Sequence, residues 1–519
     1  MRRLIASFVR RLGVVDIGSN TIRMVVYERQ ASGAFRLQDD LRQRVRLGAG
    51  LARSGVIEAE RLAQATALLE RFADYAAGLD VLEAIGTSAL RDAENGRQLI
   101  DAAHRLGIEI RVLTGAEEAQ LAVLAVANGF DFDDAWVIDL GGGSAQVARM
   151  EGRRLADGDA YPLGAVRLTE AYLAGDPPPP AEVRALEAAV ASQLAPLAAA
   201  MRASPPPLVA IGGTVRNLAR AAQRRRRYPL GLLHGYRLTR DDLEALTGEL
   251  LARNARQRAA MAGIHPDRAD VIVAGALVFR WLLRHGRRDG LVVSGDGVRE
   301  GALYRRVLLA PHLVARVAEA SVESLVVQHG VDRQHAAQVR RLAAALFDRL
   351  EPLHGLGPRD AVLLDAAAAL YDVGLSVHFY RRHRHGAMLL RAAALDGFSH
   401  REQTLLMLLV RHHRKGDPKP GRFGVLLRDG DRQRLRRLVA LLRLAIALDR
   451  SRRGRIRELA VRIKKKSVVL ELPAIGDASI ELWSARQHAA YVSRVLGRRL
   501  KLKAGPAAFG DGGAPRPRP

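Results

Sequence analysis

Residues 14–28 read VVDIGSNTIRMVVYE, two apolar runs on either side of a Gly-Ser-Asn turn. A second stretch, WVIDLGGGSAQVARME at residues 136–151, has the same layout. Both patterns are typical of a β-hairpin with a glycine-containing turn. When the two stretches are aligned, Asp16 falls on Asp139 and the glycines of the two turns coincide. This repetition predicts a duplicated α/β fold with two similar lobes, and the cleft between such lobes is a natural ligand site.

The sequence around the hairpins alternates between helical and strand-like patterns. Residues 58–79 carry apolar side chains at helical spacing, and short strand-like runs occupy 82–85 and 108–113. Two later segments, LVAIGGT at 208–214 and LVVSGDGVREG at 291–301, each read as a strand, a glycine turn and a helix. We therefore expect mixed α/β structure up to about residue 306.

The last two-fifths of the chain has a different character. From Leu313 to Leu448 the sequence reads as helices rich in Ala and Leu, which predicts an all-α domain. Strands are predicted again in VRIKKKSVVLELPA at 461–474 and ASIELWSA at 478–485, within a small C-terminal α+β domain. The 519 residues thus divide into an N-terminal lobe, a second lobe, a helical domain, a C-terminal domain and a disordered tail: 1–125, 126–306, 307–450, 451–505 and 506–519.

Arginine carries almost all of the positive charge. The net charge is +26, and the few lysines among the 81 basic residues begin only at Lys415. A P-loop and a protein kinase each need a lysine, so the sequence before Lys415 can form neither. The absence of cysteine excludes disulfides, cysteine nucleophiles and thiolate metal sites. Guanidinium groups bind phosphate oxygens well, so the composition favours a phosphate-rich partner; a GC-rich coding bias is the alternative explanation.

No apolar run is long enough to span a bilayer. The first residues, MRRLIASFVRRLG, do not form a secretory signal because arginines interrupt the apolar stretch. The expected location is therefore the cytoplasm. Leu4, Ile5, Phe8, Val9 and Leu12 could form a helical stripe that makes weak contact with a membrane surface. Packing of this extension on the first domain is the other interpretation.

The two Asp-x-Gly turns suggest phosphate chemistry. Glycine lets backbone N–H groups approach phosphate oxygens closely, and nearby hydroxyl side chains add donors. Asp16 and Asp139 could hold Mg²⁺ directly or through water. One such turn is common in ordinary hairpins. Two turns in register, however, would clamp one phosphate-bearing ligand from opposite sides.

Seven motifs, taken in order along the chain, point to one family. They are DIGSNTIRMVV, GTSALRDAENG, TGAEEAQLAVLAV, DLGGGSAQVA, LGAVRLTEAY, AIGGTVRNLARA and SGDGVREGALY. Together they resemble the exopolyphosphatase and guanosine pentaphosphate phosphohydrolase family, which shares its fold with actin and the sugar kinases. The resemblance implies two actin-like lobes, hydrolysis of a phosphoanhydride bond, a requirement for Mg²⁺ or another divalent cation, and a homodimer.

The resemblance also implies roles for individual residues. The family's general base is a glutamate in a Gly-x-Glu-Glu-Ala segment, which is Gly115–Ala119 here. Glu118 is the first candidate for this base and Glu117 the second. Asp139 is the first candidate for the metal, with Asp16 assisting. The implied phosphate-binding residues are Asp16, Gly18, Ser19, Asn20, Arg91, Gly141, Gly142, Gly143, Ser144, Gly212, Gly213, Thr214 and Arg299.

The helical domain resembles an HD-type domain, in which a His, a His-Asp pair and a further Asp bind metal. His335 is present, but Tyr371 precedes Asp372 where the resemblance implies histidine. Because tyrosine replaces a neutral imidazole ligand poorly, we expect a binding and dimerisation module without a second metal site. Four other histidines lie among arginines: His383, His385, His412 and His413. They either line a groove for a polyanion or are ordinary surface residues.

Several functions remain open at this point. The first is an exopolyphosphatase that releases orthophosphate from inorganic polyphosphate. The second removes the 5′ γ-phosphate of guanosine pentaphosphate, and the third is a non-catalytic regulator that binds polyphosphate or a nucleotide. No specific nucleic-acid partner is expected, because only 5% of residues are aromatic and no binding motif is present. Basic clusters in the later half suit a long polyphosphate chain or form solvated faces.

Overall fold

The computed structural model describes residues 9–505. It divides into two compact units, of which the first ends at Val317 and the second begins at Ala318. Within the described range, every helix is too short or too polar to cross a membrane.

Two of the sequence predictions concern residues outside this range. Leu4, Ile5 and Phe8 of the N-terminal stripe lie outside the described residues, and so does the tail at 506–519. Of the remaining stripe residues, Leu12 is fully buried in the core of the first unit.

The first sheet contains the first predicted hairpin, which is confirmed. Its strands are β1 (Arg11–Ile17), β2 (Ile22–Arg29), β3 (Phe35–Gln43), β4 (Val81–Gly86) and β5 (Ile110–Val112). They lie in the order β3-β2-β1-β4-β5, with the first three antiparallel and β4 and β5 parallel to β1. Val14, Val15 and Ile17 are all fully buried, which explains the continuous apolar run in the sequence.

The second sheet repeats this arrangement, and the second predicted hairpin is also confirmed. Its strands are β6 (Ala135–Leu140), β7 (Ala145–Glu151), β8 (Arg154–Tyr161), β9 (Leu208–Ile211), β10 (Arg237–Thr239) and β11 (Gly290–Val293). They lie in the order β8-β7-β6-β9-β11-β10, so β6, β7 and β8 match β1, β2 and β3. Strand β10 adds an antiparallel edge that the first sheet lacks. The duplication predicted from two hairpins therefore extends to the strand order of both sheets.

The helices of the first unit cover the sheets and connect their strands. They are α1 (Leu51–Ser54), α2 (Ala59–Ala76), α3 (Ser88–Asp92), α4 (Gly96–Arg105), α5 (Gly115–Gly129), α6 (Ala165–Tyr172), α7 (Pro180–Ala203), α8 (Gly213–Arg225), α9 (Arg240–Leu251), α10 (Ala255–Ala259), α11 (Ile272–His285) and α12 (Val298–Val307). The two predicted strand–turn–helix segments are β9 with α8 and β11 with α12.

Helix α5 belongs to the cores of both sheets. Ala119 and Val123 pack against the second sheet, whereas Leu121 belongs to a cluster with residues of the first sheet. The lobe boundary expected between residues 125 and 126 falls inside this helix. The two lobes are thus joined through a continuous helix and have no linker at this point.

Helix α12 follows the second sheet in sequence but packs on the first. Its Leu303 and Val307 lie in a cluster with Leu12 of β1. It crosses α5 very closely, because a β-carbon placed on Gly301 would lie only 2.1 Å from the carbonyl oxygen of Leu121. Glycine at this position therefore allows the helix that carries Glu118 to touch the helix that carries Arg299.

The second unit is mainly helical and ends in a small sheet. Its elements are α13 (Val317–Gln328), α14 (Arg333–His354), α15 (Pro358–Leu370), α16 (Arg382–Ala392), α17 (His400–His412), α18 (Asp431–Ala447), β12 (Ala460–Ile463), β13 (Ser467–Leu472), α19 (Ser479–Leu496) and β14 (Arg499–Ala504). One hydrophobic cluster runs from α13 to β14, so the predicted C-terminal domain shares its core with the helices.

One strand prediction in this unit is wrong. Residues 478–485, ASIELWSA, were expected to form a strand but begin helix α19. The buried positions are Glu481, Ser484 and Ala485, a helical spacing, whereas Ile480 and Trp483 are exposed. The apparent alternation of apolar residues was too short to distinguish the two periods.

Candidate active site

The first unit contains an open cleft of about 650 Å³ that is lined by the turns of both hairpins. Most of the residues singled out from the sequence line it: Asp16, Gly18, Ser19, Asn20, Glu118, Asp139, Gly141, Gly142, Ser144, Gly212, Gly213 and Arg299. Four predicted site residues are not in the lining: Arg91, Glu117, Gly143 and Thr214. Residues more than a hundred positions apart are therefore brought to one place.

The four residues outside the lining have identifiable surroundings. Arg91 reaches the carboxylate of Glu118 from behind, and Gly143 packs so closely that a β-carbon would lie 2.6 Å from the Ser88 hydroxyl. Thr214 is buried beneath the loop at the start of α8. Glu117 accepts a hydrogen bond of 2.8 Å from the Thr114 N–H and completes the capping box of α5.

In the first hairpin turn the backbone carbonyl groups accept hydrogen bonds from elsewhere in the protein. The N–H of Gly18 donates to the carbonyl of Thr21 at 3.2 Å. The carbonyls of Ser19 and Asn20 accept from the N–H groups of Gly48 (2.8 Å) and Arg46 (3.1 Å). In the described part of the chain, the N–H groups of Ser19 and Asn20 have no protein acceptor.

The second hairpin turn has an equivalent arrangement. The carbonyl of Gly141 accepts from Ala165 N–H at 3.0 Å, and the carbonyl of Gly142 accepts from Val166 N–H at 2.9 Å, both at the start of α6. The Arg167 guanidinium donates to the carbonyl of Gly143 at 2.9 Å. Among the described residues, no protein acceptor faces the N–H groups of Gly142 and Gly143.

The two turns touch each other at the bottom of the cleft. A β-carbon on Gly142 would lie 3.2 Å from the Ser19 β-carbon, and the Ser19 and Ser88 hydroxyls are hydrogen-bonded at 2.9 Å. Carbonyls engaged elsewhere and uncommitted N–H groups on both turns form an anion-binding surface. The geometry is suitable for the oxygens of a phosphoryl group.

Glu118 lies in the first turn of α5 with its carboxylate buried at the cleft. One oxygen, Oε1, accepts from Arg91 Nη1 at 2.6 Å, and the other, Oε2, accepts from Gln146 Nε2 at 3.1 Å. Gln146 also donates to the Ser144 hydroxyl at 2.8 Å. The carboxylate is therefore fixed in its plane by one neighbour on each oxygen and is linked to the second turn.

The electrostatic environment makes Glu118 an unusual carboxylate. Burial raises the pKa of Glu118 to about 7, with Arg91 opposing the shift and the charges of Asp139 and Asp16 adding to it. The side chain therefore changes its protonation state near neutral pH, where a general base is most effective. By contrast, the Thr114 N–H lowers the pKa of the partly exposed Glu117, which is thus a weaker base.

Asp139 and Asp16 face the cleft from equivalent positions on β6 and β1. Burial raises the pKa of Asp139 to about 6, although Arg216 opposes this shift. Within the described residues no donor engages the Asp139 side chain, whereas Asp16 Oδ2 accepts from Arg299 Nη1 at 3.0 Å. A partly buried carboxylate that no protein donor engages, at a phosphate-binding cleft, fits a hard divalent cation. These two residues could hold such a cation.

The cleft also includes residues that the sequence analysis missed. Gln146 and Ser88 lie beside the two turns, and their sequence contexts carry no special signal. Arg42, Arg44, Arg220 and Arg268 add positive charge around the opening. Arg268 lies against Gly213, where a β-carbon would be 2.5 Å from its guanidinium. These arginines come from three separate segments, so only the folded chain brings them together.

Family models match most of the chain. Residues 25–310 match the Ppx/GppA phosphatase family, and residues 317–480 match domain III of Ppx/GppA phosphatases. The chain belongs to the Ppx/GppA phosphatase family. It is therefore an enzyme of the hydrolase class. Its mixed α/β first unit, with the cleft described above, is the part that the first of these models covers.

Other members of the Ppx/GppA family resemble this first unit. Exopolyphosphatase 1 of Mycobacterium tuberculosis is 30% identical over 331 residues, which are 61% of this chain and 94% of that protein. The crystal structure of an exopolyphosphatase from Cytophaga hutchinsonii is 26% identical, with a TM-score of 0.54 over 57% of this chain and 97% of that one. An exopolyphosphatase-like protein of known structure is 26% identical, with a TM-score of 0.52 over 56% and 96%.

In the domain III segment of this Ppx/GppA protein, polar groups occupy the positions expected for an HD-type metal site. His335 Nδ1 is 2.6 Å from Asp449, and its Nε2 bonds the Tyr371 hydroxyl. Arg382 and Arg452 both donate to the carboxylate of Asp372. Two guanidinium groups thus neutralise the aspartate, and this network links four segments of the unit.

We expect Glu118→Gln to stabilise this Ppx/GppA protein at alkaline pH. Because the pKa of Glu118 is raised on folding, the folded state binds its proton more tightly, and the ionised side chain costs stability above pH 7. A rise from 4.5 to about 7 corresponds to a penalty of up to about 3 kcal/mol. Thermal unfolding of both proteins in EDTA should show a larger gain at pH 8 than at pH 5. An equal gain at both pH values would contradict the raised pKa.

Proposed function

We propose that this protein is an exopolyphosphatase, which hydrolyses the terminal phosphoanhydride bond of inorganic polyphosphate with Mg²⁺ and releases orthophosphate. The observation that carries the proposal is the position of Glu118. This buried carboxylate has a pKa of about 7 and faces a cleft in which two turns offer free N–H groups. Base, phosphate cradle and cationic surroundings are then present in one cleft.

In the proposed reaction Glu118 accepts a proton from the attacking water. Arg91 and Gln146 occupy one position on each carboxylate oxygen, and the remaining lone pairs are available to the water. The water oxygen forms a bond to the terminal phosphorus while the bridging P–O bond breaks. The proton passes to Glu118, the attacked phosphoryl group becomes orthophosphate, and the shortened polyphosphate leaves with the bridging oxygen on its new terminal phosphate.

The turns bind and orient the terminal phosphoryl group in this scheme. The N–H groups of Ser19, Asn20 and Gly142, which have no protein acceptor among the described residues, would donate to its oxygens. Their positions are set by the carbonyl contacts on the other side of each turn. The Ser144 hydroxyl accepts from Gln146, so its own proton is available to a phosphate oxygen. Donors fixed before the reaction stabilise the charge that develops on the transferred group.

Asp139 would hold a divalent cation, with Asp16 as the second carboxylate. When bound, the cation supplies Lewis-acid neutralisation of the phosphate oxygens. Burial raises the pKa of Asp139 to about 6. This value is still below neutral pH, so the side chain is mainly ionised at pH 7. Arg299 orients Asp16 through a hydrogen bond of 3.0 Å.

The cleft lining favours inorganic polyphosphate over guanosine pentaphosphate. Among the described residues that line the cleft, none is Phe, Tyr or Trp, so an aromatic platform for a guanine base is lacking. Arg42, Arg220 and Arg268 instead add positive charge to the cleft lining, whereas Arg44 is paired with Asp270 at 2.7 Å. A chain of phosphates can use such charges along its length.

Phosphate release from both substrates tests the proposal. The purified protein with Mg²⁺ should release orthophosphate from long-chain polyphosphate with a higher kcat/KM than from guanosine pentaphosphate. Activity on the pentaphosphate alone would show that the protein is a guanosine pentaphosphate phosphohydrolase instead. A folded protein that binds polyphosphate and releases nothing from either substrate would instead be the non-catalytic regulator.

A change at Gln146 should move the pH dependence of the reaction. In Gln146→Glu a second carboxylate would lie about as close to Glu118 as the amide nitrogen does now, at 3.1 Å. Two carboxylates that share a site cannot both ionise easily, so the pair has one pKa well above 7. We expect kcat/KM to fall at least about tenfold at pH 6.5 and to recover substantially at pH 9.

The matched control for this change is Gln146→Met, which removes the amide without adding charge. Its kcat/KM should fall by a factor that changes little with pH. If Gln146→Glu also loses the same factor at every pH from 6 to 9, the side chain has only a packing role and the proposed link to the base is wrong.

A further inference from the structure

A continuous exposed segment in the second unit is unusually apolar. Residues 375–381 read LSVHFYR, and all seven are exposed between the buried residues Gly374 and Arg382. Phe379 is 61% exposed and Tyr380 is 73% exposed. Large apolar side chains exposed in a row on a water-soluble surface point to an interaction site.

Further exposed apolar side chains lie on helix α16, which follows this segment directly in the chain, and in the turn at 421–426. Met388, on the outer face of α16, is 49% exposed, and Val425 is 78% exposed. Met388, Arg384 and Phe423 line one shallow groove. We call the whole feature the 375–425 surface; it comprises residues 375–381, the outer face of α16 and the turn at 421–426. Six of the eleven exposed large hydrophobic residues in the described chain lie within it, so the exposure is concentrated in one region.

Cations line two grooves formed by α16, the end of α17 and the segment that leads to the turn at 421–426. These adjoining grooves share Arg384, Arg411 and Lys419, and the following further cations line them: Arg391, Arg414, Lys415 and Arg422. Asp417 is the one acid in the lining of these two grooves, and it forms an ion pair with Arg436 at 2.6 Å. The described side chains therefore leave most of this positive charge without an acidic partner.

Two of the four histidines predicted to add charge to such a groove, His383 and His413, do not add it. Burial and the charges of Arg414, Arg384 and Arg411 lower the pKa of His383 to about 4, and burial lowers the pKa of His413 to about 3. Both are neutral at physiological pH. The positive charge of the two grooves therefore comes from Arg and Lys.

We propose that the 375–425 surface binds an anionic membrane surface, with its apolar side chains at the level of the upper acyl chains and its cations on the lipid phosphates. The combination of exposed aromatic and aliphatic side chains with nearby Arg and Lys side chains is typical of proteins that lie in the membrane interface. Long cationic side chains can extend to the headgroups while the apolar residues enter the lipid.

The same features argue against two other binding partners, a second copy of this chain and a single-stranded nucleic acid. A second copy of this chain would bring the same unneutralised cations face to face, which charge complementarity disfavours. A single-stranded nucleic acid would use the cations and could stack bases on Phe379 and Tyr380. It would leave Leu375, Val377 and Val425 without a role, because aliphatic side chains provide no stacking plane.

Vesicle flotation of the full chain tests the proposal. The vesicles contain either 30% phosphatidylglycerol in phosphatidylcholine or phosphatidylcholine alone. We expect co-flotation with the anionic vesicles and a partition coefficient at least tenfold lower for the neutral ones. The double variant Phe379→Ser with Tyr380→Ser should lose at least tenfold in binding, and Arg384→Gln with Arg391→Gln should lose a comparable factor that shrinks at high salt.

Matched controls test whether vesicle binding depends on this surface in particular or on exposed charge and apolar area anywhere in the second unit. Ile480→Ser with Trp483→Ser removes two exposed apolar residues elsewhere in the second unit, and Arg457→Gln with Lys464→Gln removes two exposed cations. Both controls should float like the wild type. In Tyr380→Trp the new indole fluorescence should shift to the blue on anionic vesicles and be quenched by lipids brominated in the acyl chain.

Three results would overturn the proposal. The first is equal flotation with neutral and anionic vesicles, or none with either. The second is an equal loss of binding in the control variants. The third is tight binding of a single-stranded RNA oligonucleotide through Phe379 and Tyr380 without vesicle binding, which would assign the surface to nucleic acid.

Discussion

Glu118→Gln is expected to lower phosphate release from polyphosphate by a factor on the order of 10²–10⁴, with little change in KM. The side chain keeps its size and can still accept from Arg91, but it can no longer take a proton from water. Loss of a general base typically has an effect of this size. Steady-state kinetics of the pure protein with saturating Mg²⁺ measures it.

Glu117→Gln is the matched control, because it changes the neighbouring carboxylate in the same helical turn. Its side chain caps the start of α5 and is partly exposed outside the cleft, so kcat should stay close to that of the wild type. Stability should fall by roughly 1 kcal/mol or less, because an amide can still cap. A large loss in Glu117→Gln with activity retained in Glu118→Gln would transfer the role of base to Glu117.

Gly164→Ala should impair the enzyme although residue 164 does not line the cleft. A β-carbon at this position would lie 2.2 Å from the carbonyl oxygen of Gly142 and 2.3 Å from the carbonyl carbon of Gly143. The backbone of Gly164 has φ −65°, which alanine adopts without strain, so the expected effect comes only from steric overlap with the turn. We expect kcat/KM to fall about 100-fold, since displacing a binding group by about 1 Å has an effect of this order.

Thermal unfolding and steady-state kinetics together distinguish a loss of stability in Gly164→Ala from a loss of activity. Overpacking should reduce stability by about 1–3 kcal/mol, which leaves the protein folded at 25 °C. Gly231→Ala is the control, because a β-carbon there meets no atom within 4 Å. If Gly164→Ala is folded and binds and turns over polyphosphate like the wild type, the second turn does not hold the terminal phosphate.

The parts of this protein that could be predicted from sequence are those whose residues are close together in the chain. Each hairpin carries its apolar runs and its turn in one stretch, so β1–β2 and β6–β7 were predicted correctly. Strands β3 and β8 were missed, because their sequences, FRLQDDLRQ and RLADGDAY, are mainly polar and show no clear alternation. They are stabilised by pairing with β2 and β7, which is a long-range property.

The surroundings of the candidate base illustrate the same limit. The capping box of α5 predicts that Glu117 and Glu118 lie in the first turn of a helix. Which of the two faces the cleft depends on Arg91 and Gln146, which come from other segments. The raised pKa of Glu118 likewise depends on burial between the two sheets, and no local pattern reports it.

The path of the chain between the two sheets constrains the order in which the protein can fold. Leu12 of β1 is among the first described residues to be synthesised, but Leu303 and Val307, which help to cover it, follow the whole second sheet. While the ribosome is still making the second lobe, this face of the first sheet has no cover from α12. Contacts between such distant segments form late in folding. The first lobe therefore cannot complete its core alone, and a self-sufficient catalytic fragment has to extend through α12.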